Sequence, residues 1–263
     1  MSKRQIENQE KIRGFMLSKK LWTESLTGEL PRFYEKFGDM LIFTDPTFQN
    51  GKWHEAGDEL WKLVCSLYNG KRIGLKSRIK NDDFRTPQAR LVFGDSPHTD
   101  FKDNKIRYTW NIEKNMFCAG NITERHRIAS LNCKGEVVVD LFAGIGYFTL
   151  PYLVHANAKF VHACEWNPDA VEALKKNLIL NKVSEKCAVH FGDNREVCPK
   201  GVADRVNLGL IPSSRCSWET ACDALLPSGG ILYIHENVTS NLNIKNDCHM
   251  AITRFQPLTK HSR

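Results

Sequence analysis

Val137-Val-Val-Asp140-Leu-Phe-Ala-Gly144-Ile-Gly146-Tyr-Phe-Thr149 is the stretch on which the fold turns. Val137 to Phe142 is a near-continuous apolar run, the pattern of a strand buried on both faces of a parallel sheet. Gly144 and Gly146 let the backbone turn sharply and come close to a ligand without Cβ obstruction. A lone Gly-x-Gly is weak evidence, but here a buried strand precedes it and a helix follows. Working outward, Phe160 to Cys164, Ala188 to Phe191, Val202 to Leu208 and Gly230 to His235 read as four further strands. Helices fit between them. The clearest begins at Asn167-Pro168-Asp169, a capping Asn before a Pro at the first helical position, with Val171, Leu174 and Leu178 on one face. Alternating β and α at this spacing predicts an α/β fold with a doubly wound sheet.

The acids at the strand ends narrow the ligand class. A dinucleotide fingerprint calls for a small residue three positions after the second glycine, where this chain has Thr149 behind bulky Tyr147 and Phe148. Glu165 closes the second strand, where it suits a ribose, but both nucleotide classes place an acid there. Asp140 before the glycines and Asp193 after the third strand break the tie. Together the three resemble the class I S-adenosylmethionine (Rossmann-like) fold, in which the third acid meets the adenine amino group. Three carboxylates at successive strand ends are individually common on surfaces, and it is their shared register that carries the reading.

The first half of the chain is different. Of 37 Lys+Arg and 30 Asp+Glu in 263 residues, residues 1–135 hold 24 and 17, so the whole net charge of +7 lies there. Residues 71–90 are densest, with Lys71, Arg72, Lys76, Arg78, Lys80, Arg85 and Arg90 against Asp82 and Asp83, a pattern suited to phosphate contacts. Asp39 to Thr44 reads as a strand, Leu60 to Leu67 as a helix closed by Asn69-Gly70, and Arg90 to Phe93 and Ile106 to Trp110 as short strands. The expected organisation is a polar segment at 1–29, either frayed or docked, then a small basic α+β module at 30–132. The sheet domain follows at 133–238 and a tail at 239–263. Charged residues at 25% and hydrophobic residues at 41% exclude general disorder. The 137–154 stretch is broken by Asp140 and its glycines, which excludes a membrane span there. Nine cysteines without a Cys-x-x-Cys pair read as reduced thiols, and no metal site is expected.

Five segments in combination then carry a resemblance: MFCAGNITERHRIAS from Met116, VVVDLFAGIGYFTLP from Val137, HACEWNPDAVEAL from His162, HFGDN from His190 and ADRVNLGLIPSS from Ala203. Over roughly residues 30–238 the chain resembles the tRNA wybutosine-synthesizing protein 2 family. The resemblance implies transfer of a 3-amino-3-carboxypropyl group from S-adenosylmethionine to the 4-demethylwyosine base beside the anticodon of phenylalanine tRNA, releasing 5′-methylthioadenosine. By the same resemblance Cys118, Arg125, Asp140, Gly144, Gly146, Glu165, Asp193 and Asn194 contact the cofactor. Asn207 orients the base, no metal takes part, and a cytoplasmic monomer acts on tRNA without a membrane. At Cys118 the family often has Ser, a stronger hydrogen-bonding group. Two other readings stay open: a tRNA guanine-N1 methyltransferase of the same layout, which has a shorter Asn-Leu-Pro in place of the NLGLIPSS run, and a non-catalytic binding form. The last arises because the tail from Thr239 shows no sixth strand by pattern. The expectation is therefore a shortened chain whose sheet stops at its fifth strand with an open edge.

Overall fold

The computed structural model describes residues 1–77, 88–117, 119–237 and, for the backbone, Cys248–Phe255. Cys118 and the Arg78, Lys80 and Arg85 portion of the basic run lie outside the described residues. The chain divides into two compact units, Met1–Phe101 with Thr109–Ala119, and Lys102–Tyr108 with Gly120–Arg263. Among the described residues no helix is long and apolar enough to cross a membrane.

In the first unit, α1 (Lys3–Ser18) opens on a capping box made by Ser2 and Gln5. It is docked rather than frayed, because Ile12 and Met16 reach 0% exposure in the core. Strands β1 (Tyr34–Phe37) and β2 (Met40–Thr44) form an antiparallel pair. The short α2 (Gly51–Glu55) and then α3 (Asp58–Tyr68) cross over to β3 (Arg72–Lys76), parallel to β2, and β4 (Ala89–Phe93) returns antiparallel. α3 buries Leu60, Trp61 and Val64 and stops where Asn69 takes a left-handed φ of 55°. Phe43, Phe48 and Trp53 stack edge-on beneath it, each side chain contributing roughly 1.5–3 kcal/mol by leaving water.

The described cations of the basic run are largely engaged within this unit. Arg72 pairs with Asp39 at 2.5 Å and donates to the Ser96 carbonyl, Lys76 pairs with Glu35 at 3.0 Å, and Arg90 sits 3.0 Å from His54. Lys71, by contrast, is exposed.

The hairpin of β5 (His98–Asp103) and β6 (Ile106–Asn111) contributes residues to both units. The second unit then adds α4 (Ile122–Ala129), β7 (Val137–Asp140), α5 (Thr149–Val154), β8 (Phe160–Glu165), α6 (Pro168–Leu180), β9 (Cys187–Phe191), α7 (Asn194–Val197), β10 (Arg205–Leu208), α8 (Trp218–Ala224), β11 (Gly230–Asn237) and β12 (Cys248–Phe255). Its sheet has the order β12-β11-β10-β7-β8-β9. All neighbours are parallel except β11 and β12, which pair antiparallel from Gly230↔Phe255 to Asn237↔Cys248. This is the expected α/β Rossmann-like sheet, with its topological switch between β7 and β10, where such folds bind ligands.

Two expectations are corrected. The sheet has a sixth strand, drawn from the tail: β12 is an edge strand, and edge strands need no continuous apolar run, so CHMAITRF is indistinct by pattern. The boundary also falls near Ala119 rather than at 132–133, because α4 packs on α5 inside the second unit.

Candidate functional site

The strand after which the glycines turn ends at Asp140, and the loop that follows meets the ends of β8 and β9. Gly144 has φ +55°, and a Cβ there would lie 2.6 Å from the Tyr147 ring, so only glycine keeps this turn open. Gly146, at φ +102°, approaches Leu174 of α6 and Leu150 of α5, where a Cβ would press at 3.0 and 3.1 Å. Asn177, fully buried on α6, donates to the Ile145 carbonyl at 2.9 Å and pins the turn from below.

Glu165 sits at the end of β8, half-buried. Its Oε2 accepts from the Gly144 N–H at 2.7 Å, and its Oε1 accepts from the N–H groups of Trp166 and Asn167 at 2.9 and 2.8 Å. Burial pushes its carboxyl above the usual range, and the three backbone donors pull the other way. Asn167 caps α6 with its side chain, accepting from Asp169 and Ala170, as the Asn-Pro-Asp signal required. Trp166 beside Glu165 is 38% exposed, and Phe191 at the register partner of Glu165 is 60% exposed. One is the chain neighbour of Glu165 and the other its register partner on the adjacent strand. Sequence reasoning passed over both, although a bulky aromatic next to a strand-end acid was visible.

Asp193 caps α7, accepting from the Arg195 N–H at 2.9 Å, and it also pairs with the Arg195 guanidinium, which holds its carboxyl below the usual range. Asn194 was expected at the cofactor, but its side chain is spent inside the protein. Its Nδ2 donates to the Leu141 carbonyl at 3.0 Å and its Oδ1 accepts from Ser217 Oγ at 2.8 Å. Ser217, fully buried, was missed, because nothing in its neighbourhood marks it before the fold brings it 23 positions back to Asn194.

Asp140 is also turned inward, with 0% exposure. One oxygen accepts from Thr149 Oγ1 at 2.8 Å and the other from Asn207 Nδ2 at 3.1 Å. Burial raises its pKa against these donors. Asp140 thus clamps Thr149 and Asn207 together at the end of its strand. Its partner gains from it: with Nδ2 committed to the carboxylate, Asn207 Oδ1 is left buried without a hydrogen-bond partner among the described residues. A buried acceptor with nothing to accept calls for an incoming donor.

Arg125 is 1% exposed and its Nε holds Asp103 at 3.0 Å, with His126 on the other carboxylate oxygen at 2.8 Å. The structure therefore gives Arg125 an internal anion that sequence reasoning did not supply. Next to it, Glu124 receives both ends of the Arg127 guanidinium at 2.8 Å and faces His235 Nε2 at 3.5 Å. Burial holds the His235 imidazole below its ordinary value, and its ring meets Phe148 of the glycine loop edge-on at 4.9 Å. Among the described residues no group of three or more His, Cys, Asp and Glu could hold a metal ion. What remains is a glycine-floored turn, two carboxylates on adjacent strand ends with apolar flanks, and a clamped amide oxygen. That set suits a nucleoside-bearing cationic ligand.

Comparison with known proteins agrees with this geometry. A model described as the TRM5/TYW2 methyltransferase domain matches residues 99–261, and one described as the TYW2 N-terminal domain matches residues 15–97. The tRNA wybutosine-synthesizing protein 2 homolog of Danio rerio is 54% identical over 233 residues, covering 88% of this chain and 57% of that protein. The chain spans about half the length of the curated relatives it matches. Among solved structures, Pyrococcus horikoshii TYW2 in complex with MeSAdo superposes with a TM-score of 0.68 at 26% identity, covering 88% of this chain and 80% of that one. The complex of aTrm5 with tRNALeu superposes with a TM-score of 0.66 at 28% identity, covering 84% and 65%.

Proposed function

Since the chain belongs to the tRNA wybutosine-synthesizing protein 2 family, we propose that it transfers the 3-amino-3-carboxypropyl group of S-adenosylmethionine to the 4-demethylwyosine base of phenylalanine tRNA. The leaving product is 5′-methylthioadenosine, and the setting is the cytoplasm, with the chain acting as a monomer, on the family likeness. The observation that carries the reading is the Thr149–Asp140–Asn207 clamp beside the glycine turn, which presents a buried, unsatisfied amide oxygen. The relative solved with MeSAdo and the one solved with tRNA support the same direction.

When bound, S-adenosylmethionine supplies a sulfonium with three electrophilic carbons, any of which in-line attack can select. Glu165 would hold the ribose hydroxyls with its carboxylate, already aimed by three backbone donors. Asp193 and Asn194 would hold the adenine end, with the exposed aromatic surfaces of Trp166 and Phe191 available beside it. Gly144 and Gly146 keep the floor free of side chains. By the family likeness Cys118 and Arg125 would contact the cofactor, Arg125 from the position in which Asp103 holds it, and Asn207 would orient the incoming base or the ammonium through its Oδ1. Selection of the aminocarboxypropyl carbon over the methyl is then a matter of orientation, and orientation alone can supply roughly 7–11 kcal/mol of barrier reduction.

Incubating the protein with S-adenosylmethionine and tRNA carrying 4-demethylwyosine tests this. The expected result is an aminocarboxypropylated nucleoside by mass spectrometry and release of 5′-methylthioadenosine. Gain of a methyl group instead would replace the reading with methyl transfer. Cofactor binding without any turnover would replace it with a non-catalytic binder.

A further inference from the structure

Cations from two segments distant in sequence meet on the second unit, away from the strand-end site. The β5–β6 hairpin brings Lys102, Lys105 and Arg107, while the last turns of α6 and the chain after it bring Lys175, Lys176, Lys182 and Lys186, all exposed. Asn181 joins the two. Its Oδ1 accepts from the Arg107 N–H at 2.9 Å, and its Nδ2 donates to the Arg107 carbonyl at 2.7 Å and to the Asn177 carbonyl at 2.8 Å. The tip is held again where His155 Nε2 donates to the Asn104 carbonyl at 2.6 Å. Asn104 and Lys105, with φ of 46° and 66°, make the tight turn that points the tip outward.

The acids in these segments do not cancel the charge. Asp103, Glu172 and Glu185 stand against seven cations, and Asp103 is 8% exposed with its carboxylate given over to Arg125 and His126. Lys176 is taken up by Glu172 at 2.6 Å. Among the described residues Lys105, Arg107 and Lys182 make no ion pair. A helix C-terminus favours cations, which accounts for Lys182 just past the cap of α6. It does not account for a hairpin fastened at two points so that Lys105 and Arg107 arrive at the same place.

The distance from the site is informative. α6 starts at the Asn167 cap, whose N–H bonds Glu165. Its 13 residues at about 1.5 Å each put its far end roughly 20 Å from that carboxylate. A polyanion touching both places must extend well beyond one nucleotide. We propose that Lys105, Arg107 and Lys182 form a phosphate-binding surface that grips the body of a folded RNA while the strand ends hold its reacting base. This rests on the tRNA reading above and adds to it where, besides the reacting base, the RNA is held.

The test is binding of full-length phenylalanine tRNA transcript across a salt series to the whole chain and to the double variant Lys105→Glu/Arg107→Glu. Each lost phosphate contact lowers the log–log salt slope by roughly 0.7–0.9, so the double variant is expected to lose about 1.5 in slope and about tenfold in affinity near 0.1 M salt. Its S-adenosylmethionine affinity by calorimetry and its melting temperature stay unchanged. Lys182→Glu, on the other segment, moves the slope the same way, and Lys105→Arg with Arg107→Lys restores binding. If wild type binds tRNA and both charge reversals bind equally with the same slope, the surface proposal is overturned and the functional reading stands. If wild type binds S-adenosylmethionine but no tRNA, the functional reading fails and takes this surface with it.

Discussion

A carboxylate removed from water costs several kcal/mol unless hydrogen bonds replace its hydration, and Asp140 receives them from Thr149, Asn207 and the Phe142 and Thr149 amides. Burial still wins, leaving its pKa raised from 3.8. The fold therefore keeps a proton longer than the unfolded chain does, and this group's contribution to stability declines as pH rises from about 3.8 through the raised value. Thr149→Val keeps the shape but removes one donor. It is expected to lower unfolding free energy at neutral pH by about 1–3 kcal/mol, read as a shifted urea midpoint with an unchanged slope. An unchanged midpoint would show that the Thr149 hydroxyl does not support the clamp. The same residue-level logic separates what could be read early from what could not. Gly144 and Glu165 were legible because a glycine turn and a strand-end acid have a local signature. The inward turn of Asp140 and Asn194 was not, since their partners Asn207 and Ser217 lie 67 and 23 positions away.

Elements with strong periodicity follow expectation closely. β2, α3, β8, β9 and β11 lie where alternation, helical spacing and apolar runs place them. β7 ends at Asp140 and β10 begins only at Arg205, both shorter than their apolar runs, because the flanking residues serve turns. The β8–β9 pair also carries a pH-sensitive contact. His162 Nδ1 and His190 Nε2 lie 3.0 Å apart, and burial lowers both pKa values from 6.5, with His190 adding to the shift on His162. A histidine that resists protonation in the fold but not in the unfolded chain stabilises above its ordinary pKa and loses that contribution as pH falls below about 6.5. Thermal stability should therefore drop on acidification below that value, and His190→Asn should flatten the drop. His54 and His235, shifted the same way, leave a residual slope. A His190→Asn protein with the full wild-type pH dependence would contradict this account.

At the scale of the whole molecule, β12 closes one edge of the second unit's sheet by pairing along eight positions of β11. A chain ending at residue 238 would expose that edge of β11, a template for pairing with other chains. It should form aggregates in light scattering at concentrations where the full chain does not; a monodisperse shortened chain would show that β12 is dispensable. The charge changes meaning at this scale too. Counted along the chain, the excess of +7 belongs to the first half. In the folded protein Lys102, Lys105 and Arg107 belong to the second unit, while Arg72 and Lys76 are ion-paired within the first. The sequence by itself determined the strand–turn–helix order, the glycine turn, the strand-end acids and hence the sheet class, because those depend on neighbours within a few residues. The long-range packing set which acid is buried, which cations lack an ion-pair partner among the described residues, and that the tail supplies a sixth strand. Those depend on hydrogen bonds between residues as far apart as Arg107 and Asn181, separated by 74 positions, and no local pattern encodes such a pairing.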